Sequence, residues 1–399
     1  MAAVIPRRAF LRRGLGAAGL WACGLPGCGA PPRPAPGPDA PHPPAPALPG
    51  LPTAPVALQR CESYAPRLVR ERLDKTLDLI GGVGGLVRGK TVTVKLNLTG
   101  HIDECCGKPA HRTYHTHPDV VGALCAALAD AGAVRIVLVE SFYYREPVEQ
   151  VLKENGWDVG AIVSAGAQRV AFVNTRNRGA HAAYARLRVP WGGFVYPAFD
   201  VHPAYEKTDV FVSLPKLKEN ASSGVTLSAK NLVGVLPLAL YGNDAPDEDA
   251  LEHRGRVMHD GGADLPAGVP AEKTWERPRG MQTWQYRVPR VLSDIVGARP
   301  IDLAVIDGVE SIAGGEGPWN WDIRAVEPKL LLAGRNPVCT DAVAAAVMGY
   351  DPAAAHGGSF FPGENHLRWL AEAGVGTNDP SRIEVRGLDV RAARFPFQS

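Results

Sequence analysis

Between Thr91 and Val139 the hydrophobic period changes twice, and that change restricts the fold more than any other feature of the chain. Thr91-Val92-Thr93-Val94-Lys95-Leu96-Asn97-Leu98 alternates polar and apolar residues, the two-residue period of a strand. Asp119 to Ala131 then repeats apolar residues at helical spacing behind Pro118. Val134 to Val139 follows as a short apolar run of the kind a buried strand carries. The pattern recurs along the chain. A helix is predicted over Glu146 to Asn155, and strands over Arg169 to Val173 and Asp209 to Leu214. A helix over Val288 to Val296 precedes strands over Ile301 to Ile306 and Lys329 to Leu332. Asn336-Pro337 reads as an N-cap with proline in the first helical position, opening a helix to about Met348. A late helix at Leu367 to Ala373 and a late strand at Arg382 to Val385 complete the pattern. Strands alternating with helices predict an α/β protein with a mainly parallel or mixed sheet, helices on both faces and Rossmann-like layering. Tyr241 to Gln282 is rich in Gly, Asp, Glu and Pro without a period, and reads as a long excursion near a site.

The N-terminal segment carries an address. Pro6-Arg7-Arg8-Ala9-Phe10-Leu11-Arg12 has the paired arginines, spacer, Phe-Leu and base of a twin-arginine export signal, with Pro6 where Ser or Thr is usual. Gly14 to Leu25 is apolar but shorter than the roughly 20 residues that span a bilayer. Leu25-Pro26-Gly27-Cys28 resembles a lipobox, in which the cysteine becomes acylated. Residues 1–28 are therefore expected to form the signal, with the twin-arginine translocase as partner and a lipid anchor to the membrane. Residues 29–56 form a linker, because 12 of the 25 residues from Pro31 to Pro55 are proline and such a stretch favours extended polyproline II. Residues 57–399 are expected to form a single α/β domain, exported and held at the periplasmic or cell-envelope side. Loss of Arg7, Arg8, Arg12 and Arg13 with the signal turns the formal charge from +2 to −2. No basic stripe interleaved with aromatics is present, so no nucleic-acid partner is expected.

Five cysteines lie beyond the signal, Cys61, Cys105, Cys106, Cys125 and Cys339, and none has C-x-x-C spacing. No iron–sulfur cluster is expected. Cys125 falls in an apolar helical pattern and is assigned to the core. The adjacent Cys105 and Cys106 read as an incidental pair or a structural bridge, with thiol redox work as a third functional reading. Gly84-Gly85-Leu86-Val87-Arg88-Gly89-Lys90-Thr91 has the letters of a phosphate-binding P-loop. Its order is reversed, helix before and strand after, so no helix N-terminus can face a phosphate. His111, His115 and His117 have spacing that a metal could use, but ordinary surface histidines account for it. His253 and His259, in the long acidic excursion, are open to the same two readings.

In open α/β sheets ligands bind at the carboxyl ends of the strands. That rule gathers Lys95 and Asn97, Glu140-Ser141, Ser213 through Lys216 to Lys218, and Asp307-Gly308 with Glu310 at one rim. Lys218 or Glu310 alone would read as solvated surface. Lys95, in an alternating strand, needs a partner such as Glu140 or Asp307. Thr226 to Gly234, with Lys230 and Asn231, and the turn Ala313-Gly314-Gly315-Glu316-Gly317-Pro318 are expected to join the rim, the turn offering backbone N–H groups to an anion.

These segments together resemble the family catalogued as domain of unknown function 362, over roughly Thr91 to Gly349. The likeness rests on Lys95-Leu96-Asn97, where that family usually shows Lys-Pro-Asn, and on Thr116-His117-Pro118. It continues through Leu214-Pro215-Lys216-Leu217-Lys218, Thr226 through Lys230-Asn231-Leu232 to Gly234, and Asp307-Gly308. Gly315-Glu316-Gly317-Pro318, Asn336-Pro337-Val338 with Asp341, and Met348-Gly349 close the series. Glu219-Asn220 stands where the family commonly has Thr-His. The ferredoxin-like module of some relatives is absent from this sequence. The resemblance points to residues and assigns no activity.

The leading expectation is an enzyme acting on a small anion that carries phosphate or carboxylate. Lys95, Asn97, Lys216, Lys218, Lys230, Asn231, Gly315 and Gly317 would bind it. Asp307, Glu316 and Asp341 would serve as general acid and base or hold a divalent metal. The rival expectation is a membrane-tethered protein that captures the anion without chemistry.

Overall fold

In the computed structural model, residues 50–356 and 361–398 are described. The export signal, the lipobox and most of the proline-rich segment lie outside them.

Eight strands form the main sheet: β1 (Val56–Arg60), β2 (Thr91–Lys95), β3 (Arg135–Glu140), β4 (Val170–Asn174), β5 (Val210–Ser213), β6 (Leu303–Gly308), β7 (Leu330–Gly334) and β8 (Val385–Gly387), in the order β8-β1-β7-β6-β5-β2-β3-β4. Strands β6, β5, β2, β3 and β4 run parallel to their neighbours. Only β7 is reversed, antiparallel to both β6 and β1, while β8 is parallel to β1. The sheet is therefore mixed, with one inverted strand. From β2 the chain steps outward through β3 and β4, then returns to lay β5 on the other side of β2. That reversal puts the topological switch between β2 and β5, where open α/β sheets place ligands.

The helices that matter for the site are α1 (Pro66–Leu79), α2 (Pro118–Asp130), α3 (Leu227–Asn231), α4 (Thr283–Ala298) and α5 (Pro337–Val347). Alternating strand residues feed two cores. Val92, Val94, Ile136 and Leu138 face Val69 and Leu73 of α1 and Val120 and Leu124 of α2. Val137, Val139 and Phe211 face Val288, Val291, Leu292 and Ile295 of α4. Each such side chain, fully buried, contributes about 1.5–3 kcal/mol, so both faces of the sheet are held. Helix α5 starts as its sequence predicts: the Asn336 side chain accepts from the N–H of Val338 and of Cys339, each at 3.0 Å.

One expectation is corrected and two elements are added. The strand expected to reach Leu98 stops at Lys95, because Asn97 N donates to the Thr116 hydroxyl at 3.1 Å instead of to a strand. Helix α1, before the P-loop letters, starts at Pro66, a residue suited to a first helical position. Val56–Arg60, next to the linker, is a sheet strand that apolar length alone did not reveal. The excursion from Tyr241 to Gln282 is irregular apart from one helical turn, Arg256–Asp260. Among the described residues no helix is long and apolar enough to cross a membrane.

Candidate functional site

The carboxyl ends of β2, β3, β5 and β6 meet at one rim, and the rim has two sides. On the α4 side, Lys95 Nζ lies 2.6 Å from Glu140 Oε1 with both side chains buried. Lys95 also donates to the Leu96 carbonyl at 2.8 Å, and its ammonium is 3.5 Å from Asn231 Oδ1. Asn231 returns two bonds from Nδ2, to Lys95 O at 3.2 Å and Ser213 Oγ at 3.1 Å. Glu140 Oε2 accepts from Leu98 N at 2.8 Å. Gly234 backs this pair: a Cβ there would stand 2.2 Å from Glu140 Oε1 and 2.6 Å from Lys95 Nζ. Burial pushes the Lys95 amine below its ordinary value, and Glu140 opposes that push.

On the α1 side, Lys216 Nζ lies 2.8 Å from Asp307 Oδ2, both side chains fully buried. Tyr64, absent from the expected set, ties the pair together. Its hydroxyl donates to Asp307 Oδ1 at 2.8 Å and accepts from Lys216 at 2.9 Å. Its ring stacks on His117, centroids 3.5 Å apart and planes 4° from parallel. The His117 N–H donates to Asp307 Oδ2 at 3.0 Å. A cleft of about 440 Å³ opens beside these groups, lined in part by Pro66, Arg70, His111, His117 and Asp119.

Near the two pairs stand cations that have no ion pair among the described residues. Lys218, fully buried, donates to the carbonyls of Tyr114 at 2.7 Å and Glu316 at 2.9 Å. Arg254 comes from the long excursion and is buried. It donates to Leu236 O at 2.7 Å, Tyr143 OH at 3.3 Å and the Ser141 hydroxyl. Lys230 keeps part of its surface in solvent. Burial, with Arg254 and Lys95 adding to it, lowers its amine, and Glu316 opposes. Lys218 is pushed well below the ordinary lysine value by burial, with Lys230 and Lys216 adding to it. With each group counted as ionised, Glu140 balances Lys95 and Asp307 balances Lys216. Of the carboxylates not already paired, Glu316 is the one that bears on Lys218 and Lys230, so these two lysines, Arg254 and Glu316 together carry an excess of two positive charges.

The expected carboxylates do not converge. Asp341, at 0% exposure, holds α3. It accepts from Ser228 N at 2.9 Å, Ser228 Oγ at 2.6 Å and Ala229 N at 2.8 Å. Glu316 accepts from Ala221 N at 2.8 Å and Trp319 Nε1 at 3.1 Å. Asp307 is bound to Lys216 and Tyr64. Among the described residues no group of three His, Cys, Asp or Glu side chains is placed to hold a metal. The glycine-rich turn also spends its amides internally: Glu316 N and Gly317 N donate to Asn320 Oδ1 at 3.0 and 3.3 Å, and Gly314 N donates to Glu219. Gly317 instead gives Trp319 room, since a Cβ would lie 2.4 Å from its ring. Asn97 is structural as well, its Oδ1 accepting from Lys216 N at 3.3 Å.

Other readings change with burial. Glu310 is buried and paired with Lys108 and Arg112 instead of lying on a solvated surface. His115 and His117 are buried, not superficial. Desolvation pushes His115 down to about 3 and His111 to about 4, and lowers His117 too. Asn220 Oδ1 closes its own turn on Ser222 and Ser223. All five cysteines are free, with 3.9 Å between the sulfurs of Cys105 and Cys106. Cys125 is in the core as expected.

Fold and site together define a mixed α/β protein whose switch-point rim is lined by buried lysines. Residues 92–346, more than half of the chain, match the family described as Domain of unknown function (DUF362), and the chain belongs to that family. A thylakoid-associated protein of Synechocystis sp. is 25% identical over 303 residues, covering 75% of each chain. A crystal structure of a Thermotoga maritima protein is similar at 11% identity and a TM-score of 0.34, over 83% of this chain. The chain spans 62% of that protein's length.

Proposed function

We propose that the rim binds a small anion carrying phosphate or carboxylate. The observation that carries this reading is the pairing pattern: Lys218, Lys230 and Arg254 crowd together with no ion pair among the described residues. Burying cations together is costly unless an opposite charge joins them. An anion between Lys218 and Lys230 supplies it, and favours their protonated forms. The affinity then falls as pH rises through the lysine values of the free site.

Chemistry on the bound anion is the second reading, and Lys218 favours it. A neutral Lys218 amine satisfies both N–H groups on the Tyr114 and Glu316 carbonyls and keeps a lone pair for use as a base or nucleophile. The sequence before residue 29 supports export through the twin-arginine route with a lipid on Cys28; mass spectrometry of the cellular protein tests it, and an unacylated Cys28 defeats the anchor.

Thermal unfolding with phosphate, sulfate, citrate and acetate tests the anion reading. A ligand at 100 times its Kd stabilises by about 2.7 kcal/mol. At least one anion should raise the Tm of the wild type and lose that effect in Lys218→Met and Lys230→Met. Equal shifts in all three proteins would sink the reading.

A further inference from the structure

His366 is a buried residue that neither pair nor fold accounts for. It opens the helix His366–Glu372, at 0% exposure. Neither ring nitrogen has a hydrogen-bond partner among the described residues, although its neighbour Asn365 is fully engaged with Pro352 O, Ala354 O and Leu367 N. An unpartnered buried polar group costs about 1–3 kcal/mol, so His366 is either a flaw in the core or a group awaiting a ligand. The charged group that bears on it is Lys230, which adds to burial in pushing the imidazole down to about 3. The helix of His366 packs on α4 and α5, and α3, which carries Lys230, packs on the same two helices.

We propose that His366 joins Lys218, Lys230 and Arg254 in contacting the ligand, and that the group they take is a dianionic phosphate, not a single carboxylate. This rests on the anion reading above and narrows it. The charge balance is the first argument: the excess at the site is two, which a phosphate dianion cancels and a carboxylate half cancels. The second is the supply of donors. Lys218 as an ammonium has one N–H left after its two carbonyls. Arg254 has two of five left after Leu236, Tyr143 and Ser141. Lys230 has three, and neutral His366 has one. Three phosphate oxygens can absorb all seven N–H groups, whereas the two oxygens of a carboxylate offer about four lone-pair sites. The third is access. Lys230, Glu316 and His259 keep part of their surface in solvent, while Lys218, Arg254 and His366 do not. Lys230, Glu316 and His259 thus mark the side open to solvent. His259, lowered to about 4 by burial and by Lys230 against the pull of Asp260 and Glu316, is neutral there.

Calorimetric titration of the full chain with inorganic phosphate and, separately, with acetate tests the assignment at pH 7.5, where phosphate is mostly dianionic. Phosphate should bind at least tenfold tighter than acetate, and His366→Ala should weaken phosphate about tenfold with little effect on acetate. If His366→Ala does not fold, His366→Gln serves, and the same loss is expected because its donor sits in a different place. Equal binding of phosphate and acetate, or unchanged phosphate affinity in a folded His366 variant, overturns the proposal and leaves the anion reading standing. Binding of neither anion overturns the proposal, and the absence of any Tm shift with sulfate or citrate as well overturns the anion reading.

Discussion

Lys216 and Asp307 meet at 2.8 Å with neither side chain exposed, and Tyr64 hydrogen-bonds to both. Two strand ends and the segment before α1 are thereby locked to one another. Removing one member of a buried pair leaves the other charge uncompensated, at about 3–5 kcal/mol. Asp307→Ala should lose that much stability in urea unfolding. The double variant Lys216→Met, Asp307→Leu should lose clearly less, because no charge remains to bury. A loss under 1 kcal/mol for Asp307→Ala would show that the pair does not hold the rim.

Gly234 should tolerate no side chain. Its φ is ordinary, so the restriction is contact, not backbone: a Cβ meets Glu140 Oε1 at 2.2 Å and Lys95 Nζ at 2.6 Å. Both are pinned by other bonds and cannot swing away. Gly234→Ala should destabilise by about 1–3 kcal/mol, as overpacking does. Gly85→Ala is the control, since nothing lies within 4 Å of its Cβ position. Equal stability of the two variants contradicts the packing described.

Asp341 predicts a pH arm. Burial raises its carboxyl from 3.8 to about 7, against the pull of Ser228 and Ala229. The folded state therefore keeps a proton that the unfolded chain releases near pH 4. Its contribution is full below about pH 4 and is lost as pH rises towards 7. Asp341→Asn removes that dependence. The stability of the variant relative to wild type should improve between pH 4.5 and pH 7.5, measured by urea midpoints. A relative stability that is the same at both pH values contradicts the assignment.

The cysteines should react unequally. Cys106 is exposed, while Cys61, Cys105, Cys125 and Cys339 are buried. Desolvation pushes Cys61 up to about 11, and Cys105 and Cys125 to about 12. One equivalent of thiol reagent should be consumed quickly by the native protein, and peptide mapping should place it on Cys106. Fast labelling of Cys105 would revive a redox role for the pair.

How far the site could be read from sequence follows from what each residue does. Lys95, Lys216 and Asp307 stand at the ends of strands whose periods are plain, so the carboxyl-end rule reached them. Lys218 followed from its position just past a strand end, and Lys230 from standing with Asn231 in the otherwise apolar Thr226 to Gly234 stretch. The rule could not reveal partners. Asp341, Asn97 and the amides around Gly315 and Gly317 looked available and are consumed by α3, Lys216 and Asn320. Tyr64 follows the end of β1, a strand the sequence pattern did not reveal, while Arg254 comes from the long excursion, with no strand end before it. The order of helix and strand did suffice to reject the P-loop letters, since Gly84–Val87 is a short helix leading into β2.

The uncompensated cations of the rim are proposed to hold an anion. Native mass spectrometry of the folded chain, titrated with inorganic phosphate, counts what is bound. One phosphate per wild-type chain is expected, and none at the same concentration in Lys230→Met. An equal count in both proteins, or no phosphate on either at saturating concentration, would contradict it.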